Sequence, residues 1–234
     1  MIDVRRFSSL GRFHNDWLNA RHHFSFGSYH DPARQGFGRL VVWNDDEIAA
    51  GTGFDPHPHR DMEIVTYIRA GAITHRDSLG NEGRTEAGDV QVMHAGTGIV
   101  HAEYNRESEA TRLFQIWIMP DRPGAAPGWS TRPFPGRTVG SLTVLASGRA
   151  GDAGADALPL NADAALLAGR LDKGDSITIA LAPGRGAYLV PAIGSVSVNG
   201  TKLATRDGAA ISGESALVIT ADEASELVLV DVPL

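Results

Sequence analysis

Apolar and polar positions alternate in short runs along the whole chain. Residues 40–43 (LVVW), 63–69 (EIVTYIR), 72–76 (AITHR), 84–87, 90–93 (VQVM), 99–101 and 113–119 (LFQIWIM) are mostly rich in β-branched and aromatic residues and bounded by Gly, Asn or Asp. Such runs predict β-strands joined by turns, and no stretch carries a sustained 3.6-residue period. The SLGNEG segment, residues 78–83, has hairpin-turn chemistry, and NDDE after residue 43 predicts an acidic turn. The first 36 residues are mixed: Ile2, Val4 and Phe7 suggest the start of a strand, followed by an aromatic and histidine-rich segment without clear periodicity.

The second half repeats the pattern over residues 142–145, 165–171, 175–181, 187–190, 195–198, 202–205, 209–211, 216–220 and 226–230, with a Gly/Ala/Asp-rich loop over 147–163. Between the halves, PDRPGAAPGWSTRPFPG is dense in proline and glycine and predicts a linker or crossing arm. The expected organisation is a first domain over residues 1–120, a linker over 121–136 and a second domain over 137–234. An internal echo supports two copies of one module. YIRAGAITHRDSLGNEGRTEAGDVQVM, from Tyr67, and YLVPAIGSVSVNGTKLATRDGAAI, from Tyr188, run through the same succession of strands and Gly-, Asn-Gly- and Gly-Asp-type turns.

Composition narrows the function classes. With 234 residues, 42% hydrophobic and 21% charged, the chain can bury a sizeable core. A net charge of −7 argues against a nucleic-acid surface. There is no cysteine, so any metal must be held by nitrogen and oxygen. Neither a secretory leader nor an apolar run long enough to span a membrane stands out, and a cytoplasmic protein is the expectation.

Candidate chemistry concentrates between Gly51 and Asn105. His57 and His59 form one i,i+2 pair; His101 and Glu103 form another. On a strand, residues i and i+2 share a face about 6.6 Å apart, so each pair can converge on one ion, and together they offer three imidazoles and a carboxylate. Borderline divalent metals favour such ligands. An isolated histidine more often satisfies a buried backbone group, but two such pairs in Gly-punctuated strands are harder to read that way. Of the adjacent His22 and His23, at most one could join a site, and packing or hydrogen bonding is the simpler role. His75 and His94 are weaker candidates for contacts behind the ligands or with substrate. Arg60, Asp61 and Arg76 read as turn or salt-bridge residues. All nine histidines lie at or before His101, so a metal is expected in the first module only.

Gly51, His57-Pro58-His59 and Glu63 resemble the first cupin motif, and Gly88 to Asn105 resembles the second. More narrowly, HPHRDMEIVTYI, HRDSLGNEG, GDVQVM and AGTGIVHAE are similar to the pirin family, whose bacterial members are often described as quercetinase-like. The resemblance implies an all-β bicupin, two small jelly-roll-like β-barrels packed together. A general cupin draws its carboxylate ligand from the position of Glu63. Pirins instead bind metal through the positions of His57, His59, His101 and Glu103; the parity of Glu63 with His59 would permit it as a ligand, and otherwise Glu63 is a hydrogen-bond acceptor behind the ligands. His94 where proline is usual, and four residues between Gly96 and His101, agree with the pirin pattern.

The implied cofactor is one divalent metal, Fe(II) first, with Cu, Mn, Ni, Co or Zn as alternatives. The implied activity is of the quercetin 2,3-dioxygenase type. In it Glu103 takes the 3-hydroxyl proton of a small aromatic, flavonol-like substrate, and O2 opens the central ring with release of carbon monoxide. Phe54, Met93, Ile99 and Trp117 are the expected pocket walls. The alternative implied by the family is a redox- or metal-sensing regulatory protein that binds a protein partner, transcription-cofactor-like, without turnover.

Overall fold

The computed structural model describes residues 1–134 and 139–234, and within them the regular secondary structure is almost entirely β-strand. The first half contains β1 (Ile2–Arg5), β2 (Gly11–His14), β3 (Leu18–His22), β4 (Leu40–Ile48), β5 (Gly53–His59) and β6 (Glu63–Ala70). It continues with β7 (Ala72–Asp77), β8 (Glu82–Glu86), β9 (Val90–His94), β10 (Ile99–Tyr104), β11 (Thr111–Ile118) and β12 (Gly128–Arg132). The second half holds β13 (Ser141–Ser147), β14 (Leu158–Pro159), β15 (Ala165–Leu171), β16 (Ser176–Ala180) and β17 (Arg185–Ile193). The last strands are β18 (Val196–Val198), β19 (Thr201–Leu203), β20 (Gly208–Ser212), β21 (Ala216–Ala221) and β22 (Ser225–Pro233). Helical structure among the described residues is confined to short 3-10 turns at Phe7–Ser9 and Ala150–Asp152.

Each half pairs a seven-stranded sheet with a four-stranded one. The first has the orders β12-β9-β6-β11-β4-β3-β2 and β5-β10-β7-β8; the second has β1-β20-β17-β22-β15-β13-β14 and β16-β21-β18-β19. The two four-stranded sheets correspond strand for strand, and so do the inner five strands of the seven-stranded sheets, β9-β6-β11-β4-β3 and β20-β17-β22-β15-β13, whereas the edge strands differ. The sequence echo thus reflects a duplicated cupin-like sandwich, with sheets that face one another without closing into continuous barrels.

Strand alternation explains the core. On β11, Phe114, Ile116 and Ile118 join Val65, Tyr67, Trp43, Val90 and Val92 in a cluster shared with Leu166, Tyr188, Val190, Val228, Val230 and Val232 of the second half. The two seven-stranded sheets therefore pack on one another, and this interface is the largest apolar core. The alternate residues of the same strands face inward: Leu113 joins Leu18, Ala20, Ile48, Ile68 and Ile73. Burial on both faces accounts for runs such as LVVW and LFQIWIM, which are apolar without strict alternation.

Two local expectations are corrected. Asn44, Asp45 and Asp46 form no turn but continue β4, and all three are buried. Polar residues can enter this strand because most have partners: Asp45 is salt-bridged by Arg69 and by Arg206 of the second half, and Asn44 accepts from His22. The Pro/Gly-rich segment drawn as a linker contributes β12, which pairs with β9 from Gly128↔His94 to Arg132↔Val90. Residues 135 and 136 of that expected linker lie outside the described residues. The N-terminus crosses to the other half, with β1 paired to β20 from Ile2↔Ile211 to Arg5↔Gly208.

Where the halves meet, His23 Nδ1 lies 2.8 Å from the Tyr188 hydroxyl. A Cβ on Gly208 would stand 2.2 Å from that hydroxyl and 2.6 Å from His23 Nδ1, too close for either buried group to accept without moving. Gly208→Ala is therefore expected to lower unfolding free energy by about 1–3 kcal/mol, measured by urea titration. A change within experimental error would show that the interface yields easily.

Candidate metal centre

The site forms between the four-stranded sheet of the first half and the inward face of the seven-stranded sheet. β5 is an edge strand of sequence GFDPHPH, in which His57 and His59 turn inward while Pro56 and Pro58 are exposed. Proline has no N–H to offer, so this edge cannot readily template another strand. β10 pairs with β5, His101 opposite His57, and a bulge follows so that Glu103 falls opposite Phe54. On its other side β10 pairs with β7, bringing Asp77 opposite His101 and His75 opposite Glu103.

The structure gathers His57, His59 and His101 so that one nitrogen of each lies within 4.8 Å of the others. Glu103 stands within the same distance of His101, in a second group whose third member is His75. His101 is thus common to both sets, and His75 lies closer to the centre than its isolated place in the sequence suggested. The signal available was its strand parity, which only the β7–β10 register makes readable.

Hydrogen bonds set which nitrogens are free. His57 Nδ1 donates to the Asp55 carbonyl at 2.7 Å, which leaves Nε2 with its lone pair. Burial alone would raise the Asp77 carboxyl, but hydrogen bonds from His75, Asn81 and Leu79 hold it below its ordinary value. As a carboxylate it accepts from His75 Nε2 at 3.0 Å, so His75 Nδ1 is the unprotonated atom facing His101 Nδ1 at 3.5 Å. The proton between them then belongs to His101 Nδ1, and His101 Nε2 is left buried with no hydrogen-bond partner. A buried, unpartnered imidazole lone pair beside two other imidazoles fits a cation-binding role.

Electrostatics agree. Burial, with His57 and His75 nearby, pushes His101 down to about 3; burial, with His101 and His57 nearby, pushes His59 down to about 4. Both are neutral at physiological pH, the form a metal requires. Glu103 is gripped from behind: Gln91 Nε2 donates to Oε1 at 2.5 Å and Gln115 Nε2 to Oε2 at 2.8 Å. Gln91 Oε1 in turn accepts from Thr85 Oγ1 at 3.1 Å and Trp129 Nε1 at 3.3 Å. Trp129 stacks on His75, with centroids 4.8 Å apart and planes at 6°, so β12 seals the back of the site.

A cavity of about 650 Å³ opens in front of these residues. Its apolar walls include Trp17, Phe26, Phe54, Ile64 and Trp117; Trp117 meets His59 edge-on at 4.9 Å, and Trp17 meets Phe54 the same way at 5.0 Å. Phe54 and Trp117 thus line it as expected. Met93 and Ile99 do not; they pack with Ile64 and Ala95 in a small cluster beside it. The N-terminal hairpin of β2 and β3 supplies walls that lack a periodic sequence signature. Polar groups also reach the cavity, among them His22, Asn44, Asp46 and Gln115. Burial, reinforced by Asp45 and Glu103, pushes the Asp46 carboxyl up to about 8.

His22, His23 and His94 have structural partners. His94 Nδ1 bonds Glu63 Oε2 at 2.6 Å, and Glu63 also accepts from the Asn161 backbone at 2.9 Å, so Glu63 ties the two halves and faces away from the imidazole cluster. Its parity with His59 carries no weight, because β5 and β6 belong to different sheets. Arg76 pairs with Glu82, and Asp61, at φ 47°, accepts from Gly124 N. In the second half the corresponding register places Ile177, Ile179, Ile219 and Ala221 where the first has His57, His59, His101 and Glu103. Among the described residues no helix is long and apolar enough to cross a membrane.

Comparison with known proteins places this architecture. The family described as Pirin matches residues 3–118, and the quercetinase C-terminal cupin domain matches residues 144–232. A pirin-like protein of Caulobacter vibrioides is 58% identical, over 99% of both chains. Quercetin 2,3-dioxygenase of Escherichia coli K12 is 42% identical, over 100% of this chain and 99% of its own. The crystal structure of the E. coli bacterial pirin YhhW in complex with nickel(II) superposes with a TM-score of 0.94 at 41% identity, covering 100% of this chain and 99% of that one. Sequence, duplicated sandwich and imidazole cluster agree, and the chain belongs to the pirin family.

Proposed function

We propose that the protein is a metal-dependent dioxygenase of the quercetin 2,3-dioxygenase type, with His57, His59, His101 and Glu103 as the ligands of one divalent metal. The observation that carries this reading is the buried, unpartnered Nε2 of His101, set among two further imidazoles and a carboxylate at the end of an aromatic-walled cavity. The relatives named quercetin 2,3-dioxygenase and the nickel(II) complex of a 41% identical pirin support it. Fe(II) is the favoured native ion, because histidine-carboxylate sets with open positions suit non-haem iron. A bound ion of this kind supplies Lewis acidity and redox capacity at positions left open to a chelating substrate and dioxygen.

The protein's own residues prepare the substrate. Trp17, Phe54 and Trp117 hold the flavonol rings by apolar contact and keep water from the reacting end. Glu103 accepts the proton of the 3-hydroxyl, and Gln91 and Gln115 hold its carboxylate in place while it does so. The Asp77–His75 pair keeps the His101 proton on Nδ1, so that Nε2 stays directed into the site. The overall reaction opens the central ring with O2 and releases carbon monoxide.

Three outcomes follow. His101→Ala is expected to reduce bound metal, measured by elemental analysis after desalting, from about one equivalent per chain to about a tenth; retention of full occupancy would remove His101 from the ligand set. Glu103→Gln, resaturated with metal, is expected to lose flavonol-dependent oxygen uptake and carbon monoxide release by roughly 10²–10⁴-fold, and undiminished turnover would exclude it as the base. The third concerns pH. The folded metal-free protein holds His59 and His101 neutral down to about pH 4 and 3, whereas an unfolded histidine takes its proton near 6.5. The unfolded state therefore binds more protons as pH falls below 6.5, and stability declines from there toward pH 4. The His59→Ala/His101→Ala double variant should show a shallower decline in denaturant midpoint; an equal slope would mean these histidines do not carry the effect.

A further inference from the structure

Asp46 has no part in the chemistry above. It lies on the inward face of β4, and its directly paired neighbours are Ala20 on β3 and Leu113 on β11. Paired residues of antiparallel strands point the same way, so the carboxyl stands between an alanine methyl and a leucine at the margin of the cluster formed with Leu18, Ile48, Ile68 and Ile73. It is 3% exposed, and its Oδ1 is buried with no hydrogen-bond partner. The contrast with Asp45 is direct: that carboxylate, one residue earlier on the opposite face, is held by Arg69 and Arg206. An apolar residue at position 46 would simply extend the cluster, whereas an unpartnered buried carboxyl weakens it.

What Asp46 does face is the cavity. Asn44, two residues earlier on the same face, is the cross-strand neighbour of Gln115, whose Nε2 holds Glu103. One strand repeat spans roughly 7 Å, so Asp46 lies about that much farther along the sheet from the metal end, comparable to the span of a two-ring aromatic. Asn44 Oδ1 is occupied by His22 Nδ1 at 2.7 Å, which leaves the Asn44 amide N–H groups as the donors on that wall. A hydroxyl placed there can donate to Asp46 and accept from Asn44, and it meets Asp46 productively whether the carboxyl is ionised or not.

We infer that Asp46, with Asn44 beside it, is a specificity-determining anchor that binds a hydroxyl carried on an aromatic substrate at the end remote from the metal ligands. This rests on the dioxygenase reading for the orientation of the substrate, and it adds a selection for ring-hydroxylated over unsubstituted aromatics. Truncating the anchor removes the preference rather than binding as a whole.

The test compares two probes on anaerobic, nickel(II)-loaded full-length protein, with tryptophan fluorescence as the readout of equilibrium binding. Quercetin carries remote ring hydroxyls; 3-hydroxyflavone has the same chelating end without them. The wild type is expected to prefer quercetin by about tenfold or more. Asp46→Leu should bring the preference to within about twofold, and Asp46→Asn, which keeps the shape and one acceptor, should reduce it by about threefold or more. Asp46→Leu should also raise the denaturant midpoint, because an orphan carboxyl is replaced by cluster, whereas a carboxyl with a structural role would lower it. An unchanged preference in both variants, or equal weakening of both probes, would overturn the anchor and leave the dioxygenase reading standing. Failure of the wild type to bind either probe would overturn both. If Asp46→Leu does not fold, the preference of Asp46→Asn decides the matter.

Discussion

The seven-stranded sheet of the first half is buried on both faces, and the rest of the molecule depends on that constraint. Odd and even positions of β4, β6, β9 and β11 answer to different environments: Trp43, Val65, Tyr67, Val92, Phe114 and Ile116 build the interface between halves, while Asn44, Asp46, Thr66, Gln91 and Gln115 look inward. A shift of register by one residue would exchange the two sets and place amides and carboxyls in the apolar interface. The strength of that interface therefore fixes the position of the side chains that grip Glu103. The site is held from behind by a core that takes no part in its chemistry.

The same alternation is why much of the fold was legible. Runs rich in β-branched residues, Gly-punctuated turns and the Tyr67/Tyr188 echo predicted strands and a duplication, and the two sets of sheets bear this out in every strand but those at the edges of the larger sheets. Legibility failed where long-range partners override local preference. Asn44-Asp45-Asp46 has turn composition, but Arg69, Arg206 and His22 lie far away in sequence and supply the partners that let β4 continue. The proline-rich segment likewise conceals a short edge strand, β12, whose partner β9 lies well before it in the chain.

For the site, spacing carried His57, His59, His101 and Glu103 into view, because an i,i+2 pair is readable on any strand. The surrounding parts were less readable. His75 and Asp77 become relevant only through pairing with β10, and Gln91 and Gln115 look in sequence like unremarkable interruptions of apolar runs. The pocket walls were the least legible. Trp17 and Phe26 come from an irregular N-terminal segment, while Met93 and Ile99, apolar and close to the ligands in sequence, are taken up by packing beside the cavity.

The crossing of β1 has a consequence for how the chain acquires its structure. Ile2 pairs with Ile211, and Arg6 reaches Asp207, so a strand made early finds its place beside one made about 200 residues later. During synthesis that strand must wait, unpaired, until most of the polypeptide has emerged. Contacts so distant along the chain slow folding and lengthen the life of incomplete species. The segment is suited to the delay: Asp3 and Arg5 interrupt its apolar positions, and it is only four residues long. The halves thus cannot mature independently in order of synthesis, and closure of the second sheet is a late event that involves both ends of the chain.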